Sequence, residues 1–177
     1  PSPPVIDFTF GEEEESRSGP QQPQPTHKGT STVSLAVAGP DGPDGFGDEN
    51  AAAVFERAEA LCEARQFREA AALFRRVLAA LQGNPDRKLW AVEAEVWAHL
   101  GVAMQSLDDI EAAIESYSHA VRLDPSLHVC FANLATLFVY LDDTTRARES
   151  IVRALHLEPS NEAYLGIQRS LGQPSAT

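Results

Sequence analysis

Cysteine is scarce in this 177-residue chain: Cys62 and Cys130 are the only two, far apart in sequence. Two thiols exclude the multi-bridge framework of a small secreted domain and a four-cysteine zinc site. They read as reduced side chains in helix packing. That points to an intracellular reducing compartment, the cytoplasm or nucleus. An organelle matrix is the alternative, after loss of a targeting peptide, for which the opening Pro1 in place of Met leaves room. Basic residues are scarce too: 14 Lys and Arg stand against 26 Asp and Glu, a net charge of −12. Such a chain repels phosphate, which argues against nucleic acid as a partner. It offers no polybasic patch to an anionic membrane. No run approaches the ~20 apolar residues that span a bilayer, so direct membrane insertion is not expected. The five histidines have no metal-ligand spacing. No Gly-rich loop precedes a helix to hold phosphate, and no Ser or Cys sits in a nucleophile motif. The expectation is a non-enzyme without metal or cofactor.

What the chain does contain is divided at about Asp48. Eight of its 12 prolines and seven of its 11 glycines fall in the first fifty residues, with nine acids and two bases. After that point Ala, Leu, Glu and Arg take over, the residues that favour helix. Residues 1–47 therefore read as an acidic, Pro/Gly-rich arm that cannot bury enough surface to offset ordering and stays disordered. The run at 12–15 reads as a solvated acidic patch. One apolar island stands out, Val5-Ile6-Asp7-Phe8-Thr9-Phe10. Its Ile6, Phe8 and Phe10 alternate with strand period, and the island reads as a short linear motif that docks on a partner by strand addition. A weaker island, residues 33–38, is followed by the linker signal Gly39-Pro40-Asp41-Gly42-Pro43.

Residues 48–172 repeat themselves. Blocks 94–127 and 128–161 align at a spacing of 34: Trp97 with Phe131, Leu100-Gly101 with Leu134-Ala135, Met104 with Phe138, Ala113 with Ala147, Tyr117 with Ile151, Ala120 with Ala154, and Asp124-Pro125 with Glu158-Pro159. Each block reads as two helices. The first apolar stripe stops at Leu107-Asp108-Asp109; the second stops at the proline. Small residues fall where two helices must approach closely. Asp108-Asp109 and Asp142-Asp143 occupy matching turns and read as N-caps, not acid–base pairs. A poorer copy precedes at 51–84, and nine extra residues, 85–93, separate it from the next. Ala91, Ala94 and Ala98 keep helical spacing, so one long helix over 86–105 is predicted. Asn161 caps a closing helix over 161–171 whose Tyr164, Leu165 and Leu171 cover the last hairpin, and residues 173–177 form a tail.

The period, with the W-x2-L-G spacing present as Trp97-Ala98-His99-Leu100-Gly101, resembles the tetratricopeptide repeat family. The resemblance implies an all-α fold: a right-handed superhelix of about three helix-turn-helix hairpins with a C-terminal capping helix, behind the arm. It also implies a concave groove lined by the first helix of each hairpin. By register it places Glu56, Glu59, Cys62 and Glu63 on the first wall, Glu95, His99, Val102 and Ser106 on the second, and Val129, Asn133, Thr136 and Tyr140 on the third. Relatives that hold the acidic C-terminal tails of chaperones use a clamp of Lys, Asn and Arg on these walls. Here the clamp positions read Phe55, Glu59, His99, Val129 and Asn133, which argues against chaperone tails as partners. A groove Asn can bond both N–H and C=O of an extended peptide. Asn133 is placed in that role, and His99 in part of it one hairpin earlier. The acidic first wall favours a segment that is not acidic. The expected function is an interaction adaptor or assembly factor. His99, Val102, Asn133, Thr136, Tyr140, Glu59 and Glu63 would hold a protein or peptide in the groove, and Ile6, Phe8 and Phe10 would dock a second partner. The alternatives are a structural subunit of a large complex, or the regulatory fragment of a larger enzyme.

Overall fold

The computed structural model describes residues 3–6, 50–81 and 89–172. The expected disorder of the arm, its Phe8 and Phe10, the island at 33–38, the first residues of the predicted long helix and the tail at 173–177 lie outside the described residues.

Every regular element among them is a helix: α1 (Ala51–Glu63), α2 (Phe67–Leu81), α3 (Leu89–Ser106), α4 (Ile110–Leu123), α5 (His128–Tyr140), α6 (Thr144–Leu157) and α7 (Glu162–Gly172). Consecutive helices pack on one another along the chain, and α1 also meets α3 and α5 meets α7. This gives three hairpins in a row with α7 closing the end. A single core runs through the stack, from Val54 and Phe74 through Leu100, Met104 and Tyr117 to Leu137, Ile151 and Tyr164. Full burial of each large apolar side chain contributes about 1.5–3 kcal/mol. The second helices are sharply two-sided: α2 buries Ala70, Phe74, Val77 and Leu81, and turns its arginines outward.

The three hairpin turns share one geometry. Arg65, Asp108 and Asp142 adopt left-handed backbone, with φ of 59°, 66° and 60°. The residue after each donates its N–H five residues back: Gln66 to Leu61, Asp109 to Met104, and Asp143 to Phe138. Crossed bonds of this kind close the helix ends and satisfy carbonyls left over from the last turn. Each Asp-Asp pair therefore divides its work. The first Asp takes the left-handed turn, which a short polar side chain tolerates. Only the second caps the next helix: Asp109 accepts from the Ala112 N–H at 3.2 Å and Asp143 from the Arg146 N–H at 3.0 Å. Asn161 does the same for α7, accepting from Ala163 and Tyr164.

Small residues set the helix spacing. Ala113, Ala120, Ala147 and Ala154 are fully buried. At Gly101 the Tyr117 ring lies so close that an added Cβ would stand 2.6 Å from its Cε1.

Candidate peptide groove

Asn133 sits in the middle of α5 with no exposed surface, between the buried apolar residues Ala132 and Leu134. A buried amide needs partners for both its ends. Asn133 finds both on one residue of the N-terminal segment. The Ile6 N–H donates to Asn133 Oδ1 at 2.8 Å, and Asn133 Nδ2 donates to the Ile6 carbonyl at 3.1 Å. The Ile6 side chain packs against the core.

A second buried amide meets the same segment upstream. Gln105, 1 % exposed, donates from Nε2 to the Pro3 and Pro4 carbonyls, each at 3.3 Å. Its other end is fixed from below, where the Tyr117 hydroxyl donates to Gln105 Oε1 at 3.1 Å. Burial pushes the Tyr117 phenol well above its usual range, so it stays a donor. With Oε1 held there, the amide presents only N–H to the groove. Thr136, Val139, Tyr140, Ile167 and Ser170 complete the site, leaving a cleft of ≈ 270 Å³ beside Pro3 and Pro4. Thr136 spends its hydroxyl on the Asn133 carbonyl at 2.8 Å and acts as wall.

The other groove positions form a different surface. Glu59 is raised above its ordinary pKa by partial burial, then by the carboxylates of Glu95, Glu56 and Glu63. Glu95 is raised by burial and by Asp124. Burial first, and Glu59 second, push the Cys62 thiol up to about 11, so it is a poor nucleophile. His99 is half-buried: its ring stacks on Phe74 at 5.7 Å, meets Phe55 edge-on at 5.4 Å, and lies 3.5 Å from Glu59. Glu63 is exposed at the end of α1, and Val102 packs partly against the core.

The register thus assigns Asn133, Thr136 and Tyr140 to one wall, and the structure brings them together around residues 3–6. It does not bring His99, Glu59 or Glu63 to that segment among the described contacts. The reader one hairpin before Asn133 is Gln105, which the register passed over. The signal for it was a Gln following Leu100, Gly101 and Met104 at a position that faces inward. Among the described residues no group of three His, Cys, Asp or Glu could hold a metal ion, and no helix is long and apolar enough to cross a membrane.

Residues 94–127 match the tetratricopeptide repeat family. No curated protein matches the chain by sequence. Several solved structures share the fold. The TPR domain of Arabidopsis OM64 is 17% identical, with a TM-score of 0.60, over 69% of this chain and 93% of that one. The second TPR domain of human RPAP3, solved with the HSP70 peptide SGPTIEEVD, is 21% identical, with a TM-score of 0.60, over 70% and 96%. The Yersinia enterocolitica type III secretion chaperone SycD, solved with a peptide of the translocator YopD, is 12% identical, with a TM-score of 0.59, over 68% and 90%. One tetratricopeptide repeat is thus matched in sequence at 94–127, and the described helices share the fold of these TPR structures.

Proposed function

We propose that this chain is a protein-interaction adaptor that holds an extended segment in its groove by reading its backbone. The observation that carries the reading is the paired bond between Asn133 and Ile6. An amide that takes N–H and C=O of one residue recognises extended chain whatever its side chain. That RPAP3 and SycD were solved with peptides supports a binding role for the fold. The ligand here differs from an acidic tail. Phe55 and His99 pack on Phe74 where a clamp needs cations, and Glu59 adds negative charge. The arm supplies the second contact of the adaptor. A foreign segment in the groove releases Ile6 to take part in the contact with another partner that the motif at residues 5–10 would make.

The test uses the full chain carrying Ile6→Asp, which expels its own segment by placing a charge against apolar wall. Phage-displayed random peptides are selected on it. Binders are expected to lose their affinity when Asn133→Ala is added, and SGPTIEEVD is expected to stay unbound. Binders indifferent to Asn133→Ala would place the interaction surface elsewhere.

A further inference from the structure

Residues 3–6 occupy the groove in the manner of a ligand, and the site's chemistry defines what it takes. Gln105 offers two successive carbonyls a donor and offers their N–H groups nothing, because Tyr117 holds its oxygen. Proline fits that arrangement, having a carbonyl and no N–H to leave unpaired. Two prolines also preset an extended backbone, which lowers the ordering cost of binding. Two residues on from Pro4 the requirement changes. Asn133 needs both a donor and an acceptor, which Ile6 supplies and a proline could not. The Ile6 side chain then packs against the core. The site thus reads Pro-Pro, a spacer, and an apolar residue with a free N–H.

We propose, on the reading of the groove as a peptide site, that the chain closes this site in cis with residues 3–6, and that the partner opening it carries an extended segment of two prolines, one spacer residue and an apolar residue. Reach permits the arrangement. Forty-three residues, 7–49, join Ile6 to Asn50, the N-cap of α1. Such a length spans about 140–155 Å when extended, several times the width of a small domain. A tethered ligand of this kind acts at an effective concentration on the order of millimolar. A free peptide of the same sequence must compete with it. The tethered copy therefore masks weak ligands and admits only a tighter or locally concentrated one. The match to Pro3-Pro4-Val5-Ile6 commits the partner to that chemistry and excludes a segment with charge at the Ile6 position, which would be buried against apolar wall.

The experiment is fluorescence anisotropy with a labelled decapeptide, PSPPVIDFTF, the sequence of residues 1–10. It is titrated into the unmodified chain, the Ile6→Asp chain, and the Ile6→Asp chain with Asn133→Ala, each checked for native helical signal. Ile6→Asp is expected to bind at least tenfold tighter than the unmodified chain, and the double variant not to bind. A peptide with Pro3→Ala and Pro4→Ala is expected to bind Ile6→Asp at least fivefold more weakly. Equal binding to the unmodified and Ile6→Asp chains, lost with Asn133→Ala, would overturn self-closure and leave the groove reading intact. No binding to a folded Ile6→Asp chain would overturn both. Equal affinity of the proline-free peptide would overturn the partner class. Light scattering decides the source of the segment: a monomer is expected at all concentrations, and a dimer abolished by Ile6→Asp would replace cis closure by exchange between two copies.

Discussion

Tyr117 joins packing to recognition in one side chain. Its ring fills the space left by the missing side chain of Gly101, and its hydroxyl sets which end of Gln105 faces the groove. Gly101→Ala sets two effects against each other. Ala favours helix over Gly by about 1 kcal/mol. The new Cβ, however, would stand 2.6 Å from a ring with no exposed surface. A rigid, enclosed ring cannot yield cheaply, and overpacking of this kind costs about 1–3 kcal/mol. Destabilisation is expected to win. The urea midpoint should fall at unchanged slope, and decapeptide affinity should fall with it as Gln105 loses its orientation. A midpoint that rises would show that the ring has room to move. Asn133 and Gln105 also differ in how far sequence discloses them. Asn133 is a polar residue at a repeat register position that faces the groove, so its place is legible. Gln105 takes its function from the hydroxyl of a residue twelve positions on, in the next helix, and no local pattern encodes that orientation.

Helices and their turns were more legible than their contacts. The 34-residue spacing, the small residues and the prolines define α3 to α6, because each turn must recur for the hairpins to stack. The division of labour within each Asp-Asp pair was not legible, since cap and left-handed turn residue share the same side chain and differ only in backbone geometry. Asp143 offers a test at this scale. The Arg146 backbone N–H and then its guanidinium, at 2.6 Å, hold the Asp143 carboxyl below its ordinary 3.8. A depressed carboxylate adds stability above its unfolded value, and that contribution is lost as pH falls through 3.8 toward the folded value. Asp143→Asn keeps an oxygen for the cap and removes the charge. The variant is expected to melt below the parent at pH 6, with the gap narrowing as pH drops below 3.8. A gap constant across that window would assign the effect to cap geometry alone.

At the scale of the molecule, stability passes from neighbour to neighbour, because among the described helices each hairpin packs chiefly on the next. The end of such a stack needs a cover, and α7 provides it. Tyr164 and Leu171 are buried, His128 Nδ1 and the Tyr164 hydroxyl are 2.8 Å apart, and Arg148 donates to the Leu171 carbonyl at 2.7 Å. The same helix lends Ile167 and Ser170 to the cleft beside Pro3 and Pro4. Cover and groove are therefore one construction, and removing it has two separable consequences. Ending the chain at residue 161 leaves α5 and α6 with an open apolar face. Hydrogen exchange is expected to quicken in those two helices while α2 and α4 keep most of their protection. Because Asn133 lies on α5 and Gln105 on α3, the segment loses one of its two readers when α5 loosens. Residues 3–6 are then expected to become open to protease in the shortened chain and to resist it in the intact one. Uniform acceleration across all the helices would mean that the stack melts as a single unit. Exchange confined to α5 and α6 with residues 3–6 still protected would mean that Gln105 and the α3 wall hold the segment without Asn133.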